Sequence, residues 1–191
     1  MKTTRKIGYV DSIRIVHKDK DGKVISDRII NNGFWHRVLV KLHLRHNSVL
    51  NNGMALAAAL LGNVASAPAA VQYVGIGSGT TAASSTDVWL QTPVTVQSAT
   101  SITRVSTVVT NDTLQLVFTF GSTAAQGTIT TTGNFAISEV IASNGSGTTS
   151  YSASGTNIGF LHQVYSPVDN CNFANGDSLQ VTIKVKCEQG S

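Results

Sequence analysis

Alternation of apolar and polar residues with a period of two runs through most of this chain and predicts β-strands separated by turns. In Lys6–His17, Ile7, Tyr9, Asp11, Ile13 and Ile15 fall on one side, and Gly8, Val10, Ser12, Arg14 and Val16 on the other. A second apolar run, Lys23–Ile30, follows Lys18-Asp19-Lys20-Asp21-Gly22. Asp-Gly between alternating segments predicts a tight hairpin, because glycine accepts the positive φ of the turn. The same residues lack the later acidic positions and distal Glu of a calcium loop. Leu114–Phe120 and Ser178–Lys186 alternate most cleanly; Leu179, Val181, Ile183 and Val185 are expected to face a core. Further strands are expected at Val71–Ile76, Val94–Val96, Thr100–Thr110, Thr128–Thr131, Asn134–Ser143 and Ile158–Tyr165.

Two segments break this period. Met54–Leu61 is rich in Ala and Leu, is preceded by Asn51-Asn52-Gly53 and is followed by Gly62-Asn63. It predicts a short helix capped by Asn51 or Asn52, apolar on every side and so packed on a sheet or a partner. Phe34–His46 fits a helix through Trp35, Val38, Leu39 and Leu42, or a strand through Val38, Val40, Leu42 and Leu44; helix over Phe34–Val40 and strand beyond is the favoured division. Ile29–Phe34 and Val49–Met54 both run two apolar residues into Asn-Asn-Gly. The small-residue stretch Ala65–Ala70 marks a boundary between a basic N-terminal docking section, 1–66, and a β-sandwich domain, 67–191. The expected fold is mainly β: an antiparallel, jelly-roll-like sandwich with an N-terminal hairpin and one Ala/Leu helix.

Composition sharpens this picture. Only 13% of the 191 residues are charged, about half the usual share, which suits surfaces buried against other protein. Residues 1–46 carry 11 Lys/Arg and 4 Asp/Glu, a net of +7, whereas the remaining 3 basic and 6 acidic residues leave 47–191 at −3. The basic residues alternate with acids and apolars, which argues for a solvated or docked face over a nucleic-acid groove. No apolar run follows Met1–Lys6, and Met54–Val64 is too short to span a bilayer, so neither a leader nor a membrane anchor is expected. Cys171 and Cys187 show no metal spacing and read as reduced thiols, bridged only if their segment folds back on itself.

The chemistry-bearing residues form no catalytic pattern. Trp35, His36, Arg37, Lys41, His43 and Arg45 cluster in sequence and are the candidate partner-docking residues. His43 and His46 lack a third metal ligand, so neither a metal nor a cofactor is expected. Gly75-Ile76-Gly77-Ser78-Gly79 follows a strand but has neither dinucleotide nor phosphate-loop spacing. His162 sits in an apolar run, Phe160-Leu161-His162, and reads as a satisfied packing residue; no nucleophile elbow supports a triad with Asp169. Glu139 is an acid inside the apolar run 136–140, and Arg104 is the sole basic residue between Arg45 and Lys184, so the two are expected to form a structural ion pair.

Taken in order, Tyr73–Thr81 (YVGIGSGTT), Thr86-Asp87-x-x-Leu90, the strand led by Arg104, Ile137-Ser138-Glu139-Val140 and Gly176-Asp177-Ser178-Leu179 resemble a diffuse family of virion structural proteins of tailed bacterial and archaeal viruses. The likeness spans Val49–Cys187 and implies β-sandwich modules that bind neighbouring subunits, with no catalytic residues. The resulting expectation is a non-enzymatic homo-oligomer in a virion, assembled in the host cytoplasm with other virion proteins at the tail, collar or fibre-attachment region. A capsid decoration protein is the alternative. A glycan- or receptor-binding sandwich using Trp89, Tyr151 or Tyr165 is the competing class.

Overall fold

The computed structural model describes residues 9–31, 47–63, 68–107, 109–121, 133–146, 158–165 and 170–186. The chain runs β1 (Tyr9–Lys18), β2 (Val24–Asn31), β3 (Asn47–Val49), α1 (Asn51–Leu61), β4 (Tyr73–Gly77), β5 (Pro93–Ser98), β6 (Ser101–Val105), β7 (Thr113–Gly121), β8 (Gly133–Ala136), β9 (Glu139–Ser143), β10 (Gly159–Val164), β11 (Asn170–Phe173) and β12 (Ser178–Lys186). Among the described residues, two five-stranded antiparallel sheets, ordered β2-β1-β12-β7-β6 and β3-β10-β9-β4-β5, form a β-sandwich, and β8 pairs with β11 separately. Each sheet holds five strands among the described residues, where an eight-stranded jelly roll has four per sheet.

The period-two pattern becomes the core directly. Leu179, Val181, Ile183 and Val185 of β12 are buried beside Leu116, Phe118 and Phe120 of β7 and Ile13 and Ile15 of β1. Across the sandwich they meet Val74 and Ile76 of β4, Val140 and Ala142 of β9, and Leu161 of β10. The β1–β2 hairpin forms as expected: Gly22 takes a φ of +81°, and the Asp19 carboxylate accepts the amides of Asp21 and Lys23 at 3.0 and 2.8 Å.

The expected division at 66/67 is not a break in the fold. β1 lies inside the first sheet, paired with β12 from Tyr9↔Lys186 to Lys18↔Ser178, and β3 joins the second sheet through β10. The N-terminal strand therefore completes the sandwich, because Ile13 and Ile15 supply core that β12 alone cannot cover. The run Asn134–Ser143, expected as one strand, divides at Ile137–Ser138. There the chain leaves β11 for the large sheet, with Ser138 N–H donating to Gly77 O at 3.0 Å and Tyr165 N–H donating to Ser138 O at 2.8 Å.

α1 starts without an Asn cap. Leu50 holds the N-cap position with no side-chain bond, and Asn51 N–H donates to Ser85 O at 2.9 Å instead. The helix rests on β10 through Gly53, where a Cβ would strike Phe160 O and Cα, the latter at 2.7 Å. Gly53 and Leu56 face inward, while Met54, Leu60 and Leu61 are exposed, so only one side of this apolar helix is covered.

Candidate functional site

The outer face of the second sheet carries the polar centre of the molecule. Residues opposite one another in an antiparallel pair share a face. The register Gly77↔Glu139, Gly75↔Ile141 and Ile141↔His162 therefore sets Gly75, Gly77, Glu139, Ile141 and His162 together, opposite the core-facing Val74, Ile76, Val140, Ala142 and Leu161. Over this face folds the segment 78–92, whose Trp89 and Leu90 pack with Leu50 and Ile141. The alternating glycines in Gly75-Ile76-Gly77 leave room for that cover. A Cβ on Gly77 would lie against the Glu139 side chain and 2.5 Å from Thr92 O.

Beneath the cover, Glu139 is fully buried. Its Oε1 accepts the backbone N–H of Thr92 at 2.8 Å and of Gly79 at 3.0 Å. Its Oε2 accepts Gln91 N–H at 2.9 Å and lies 3.1 Å from His162 Nε2. The other ring nitrogen, Nδ1, is 2.7 Å from Asp87 Oδ2, and that oxygen also accepts Ser84 N–H at 2.8 Å. Ser138 Oγ donates to Gly79 O at 2.7 Å and closes the loop onto β9. The amides of Gly79, Gln91 and Thr92, at the two ends of the cover, thus form an anion cradle, and the anion it holds is the chain's own carboxylate.

Ionised carboxylates only accept hydrogen bonds, so an imidazole between two of them satisfies both only as imidazolium, donating from both nitrogens. Burial works against the charged ring, but the bonds to Glu139 and Asp87 and the charge of both outweigh it and hold His162 above its ordinary 6.5. Burial likewise pushes Glu139 up, but His162 and the amides of Gln91, Thr92 and Gly79 hold it below its ordinary 4.5. A raised histidine stabilises the fold fully below its unfolded value and loses that contribution as pH rises through the folded one. A depressed carboxylate stabilises fully above its unfolded value and loses that contribution as pH falls through the folded one. The urea midpoint should therefore be highest between pH 4.5 and 6.5 and fall on both sides, as a denaturation series across pH would read directly.

Chemically the relay is spent. Both ring nitrogens and both Glu139 oxygens are engaged, and among the described residues the hydrogen-bond partners of the His162 ring are Asp87 and Glu139. The two carboxylates sit on opposite ring nitrogens and do not converge on one point. Among the described residues no group of three His, Cys, Asp or Glu side chains could hold a metal ion. Asp87 and His162 were not singled out as partners of Glu139 by sequence reasoning. The expected Arg104–Glu139 pair does not form: Arg104 lies exposed on β6 of the other sheet, while Glu139 is enclosed by His162 and three amides.

A second buried pair ties the neighbouring strands β1 and β12 together at one end of the first sheet. His17 Nε2 lies 3.0 Å from Asp177 Oδ2, its ring stacks on Phe173 at 5.5 Å, and the Asp177 carboxylate accepts Ala174 N–H at 2.9 Å. It anchors the Asn175-Gly176-Asp177 turn, where Gly176 has a φ of +95°.

The candidate docking residues Trp35, His36, Arg37, Lys41, His43 and Arg45 lie outside the described residues, as do Tyr151, Asp169 and Cys187. Trp89, one of the contacts the competing glycan- or receptor-binding reading would use, is buried in the cover over Ile141. The exposed apolar side chains lie elsewhere. Val24, Ile25 and Ile29 of the edge strand β2 are 49%, 55% and 55% exposed, and Ile102 projects from the opposite edge strand β6. No helix among the described residues is long and apolar enough to cross a membrane. Compared with family models, with curated proteins and with solved structures, this chain has no match.

Proposed function

We propose that this protein is a non-enzymatic structural subunit of a tailed-virus particle, bound to further copies of itself and to other virion proteins at the tail, collar or fibre-attachment region. The observation that carries the assembly reading is the edge strand β2. Among the described residues it is the outermost strand of its sheet, and it exposes Val24, Ile25 and Ile29. Soluble monomers blunt such edges with charge, proline or cover. Here Asp27 is drawn to Arg14 within the same sheet, and among the described residues nothing covers the apolar side chains. The low charge of the chain supports the same reading, as does the absence of an accessible reacting group at the relay. The virion assignment itself rests on the resemblance of the ordered motifs from Tyr73 to Leu179.

Multi-angle light scattering at low and high salt tests the assembly. A defined oligomer is expected at both, because apolar edge contacts are not screened, whereas nucleic-acid contacts weaken steeply with salt. The double variant Ile25→Lys, Ile29→Lys should be folded and monomeric, with a urea midpoint that no longer depends on protein concentration, because its subunits no longer stabilise one another by binding. A wild-type monomer at both salts overturns self-assembly and favours a decoration protein seated on its host lattice. Peptides of this chain in purified particles would test the virion assignment.

A further inference from the structure

The Asp87–His162–Glu139 relay is asymmetric in a way that makes it a switch. Glu139 and the His162 side chain are wholly enclosed, but Asp87 retains 24% side-chain exposure. Glu139 has three amide donors besides the imidazole, whereas Asp87 has Ser84 N–H and open solvent on its other side. Among the described residues, the charged groups facing His162 are Asp87 from the cover and Glu139 from β9. α1, β3, β5 and the adjoining part of β4 (Val74–Gly77) bring no titratable side chain to it.

We propose that His162 is the pivot of a proton-controlled latch, in which loss of one imidazolium proton to solvent frees Asp87 and opens the 82–88 segment while Glu139 keeps its amides. A neutral imidazole donates from one nitrogen and presents a lone pair at the other. A lone pair turned to Glu139 would be trapped against a buried carboxylate that cannot move away. The remaining proton therefore stays on Nε2, and the lone pair on Nδ1 faces Asp87, which can turn to water. The released arm carries Ser84 and Ser85, so opening also breaks the bond from Asn51 N–H to Ser85 O and loosens the first turn of α1. It uncovers one side of Trp89 as well.

The test uses the full chain carrying Trp35→Phe, which leaves Trp89 as the one tryptophan. Trp89 emission, hydrogen exchange at Asn51 and Ser84 corrected for intrinsic base catalysis, and the His162 ring nitrogen shifts are followed from about pH 6 to about pH 9.5. Expected are a red shift and a loss of protection of at least about tenfold (~1.4 kcal/mol), sharing one midpoint above 6.5 with the loss of the ring proton. Asp87→Asn supplies an amide that donates to Nδ1 from the Oδ2 position, where it can no longer accept Ser84 N–H, so in this variant Ser84 should exchange freely at every pH while Trp89 emission and Asn51 protection stay constant across the range. Cysteines titrate near about 8.5 but are common to both proteins, so the difference between them isolates the latch. A ring already neutral at about pH 6, an unchanged Trp89 and exchange profile through the wild-type titration, or the same transition in Asp87→Asn would each overturn the proposal. The ring-nitrogen titration decides it in the wild-type side chains even where the variant does not fold.

Discussion

Glu139→Ala should lower the unfolding free energy by about 3–5 kcal/mol, the cost of breaking a buried ion pair from one side. The substitution removes a methylene and a carboxylate, but the larger loss is what it leaves behind. His162 would remain fully buried with one of its two counter-charges gone, and the amides of Gly79, Gln91 and Thr92 would face an apolar void. A buried donor without an acceptor costs about 1–3 kcal/mol by itself, and water entering the void would recover part of that. Glu139→Gln separates charge from shape. Its carbonyl oxygen can still accept from Gly79 and Thr92, and its amide can donate to Nε2 of a neutral His162 that keeps Nδ1–H toward Asp87. One donor, Gln91 N–H, would lose its acceptor, so this variant should cost about 1–3 kcal/mol and lose the acid limb of the pH–stability profile. Urea denaturation with an unchanged m-value reads both. A cost below about 1 kcal/mol for Glu139→Ala would mean that the cover over β9 stands without the relay.

The fold could be read from the sequence wherever one strand's own pattern decided it. Ser178–Lys186 alternates because β12 has one face on the core and one toward solvent, and the hairpin at Asp19–Gly22 depends on four adjacent residues. What escaped were features set by distant pairing. β1 joins β12 across almost the full length of the chain, and nothing in Tyr9–Lys18 names that partner, so the N-terminal segment looked separable. β3 and β11, of three and four residues, are too short to show a period. Ile137–Ser138 is a bend imposed by bonds to Gly77 and Tyr165, inside a run that is locally good strand.

The relay shows the same limit in its chemistry. Glu139 inside an apolar strand was a visible signal that a buried charge needed compensation, and so was His162 in Phe160-Leu161-His162. Charge counting pointed to Arg104, the nearest basic residue in a cation-poor domain. The actual compensation is an imidazole from the neighbouring strand and three backbone amides, and amides leave no mark in a sequence. The mark they do leave is steric. Glycines at 75 and 77, two apart in a strand, share a face on which something must approach closely, and that approach is by the chain itself.

Gly77→Ala should therefore be nearly as damaging as loss of the carboxylate, at about 3 kcal/mol, the upper end of the usual cost of overpacking. The added methyl meets two obstacles of different kinds: the Glu139 side chain, and Thr92 O of the cover at 2.5 Å. The first can be removed by mutation and the second cannot, so a double-mutant cycle with Glu139→Ala tells them apart. If the carboxylate is the main obstacle, Gly77→Ala should cost less in the Glu139→Ala background, with a coupling of about 0.5–3 kcal/mol. The methyl would then fill part of the void that the glutamate left. If the backbone oxygen dominates, the two losses should add within about 0.5 kcal/mol, and Gly77 would be required by the path of the 78–92 cover rather than by the anion beneath it. We expect coupling, because the Cβ position of residue 77 lies closest to Oε1, the oxygen that holds the amides of Gly79 and Thr92. Displacing that oxygen should release the segment those amides belong to.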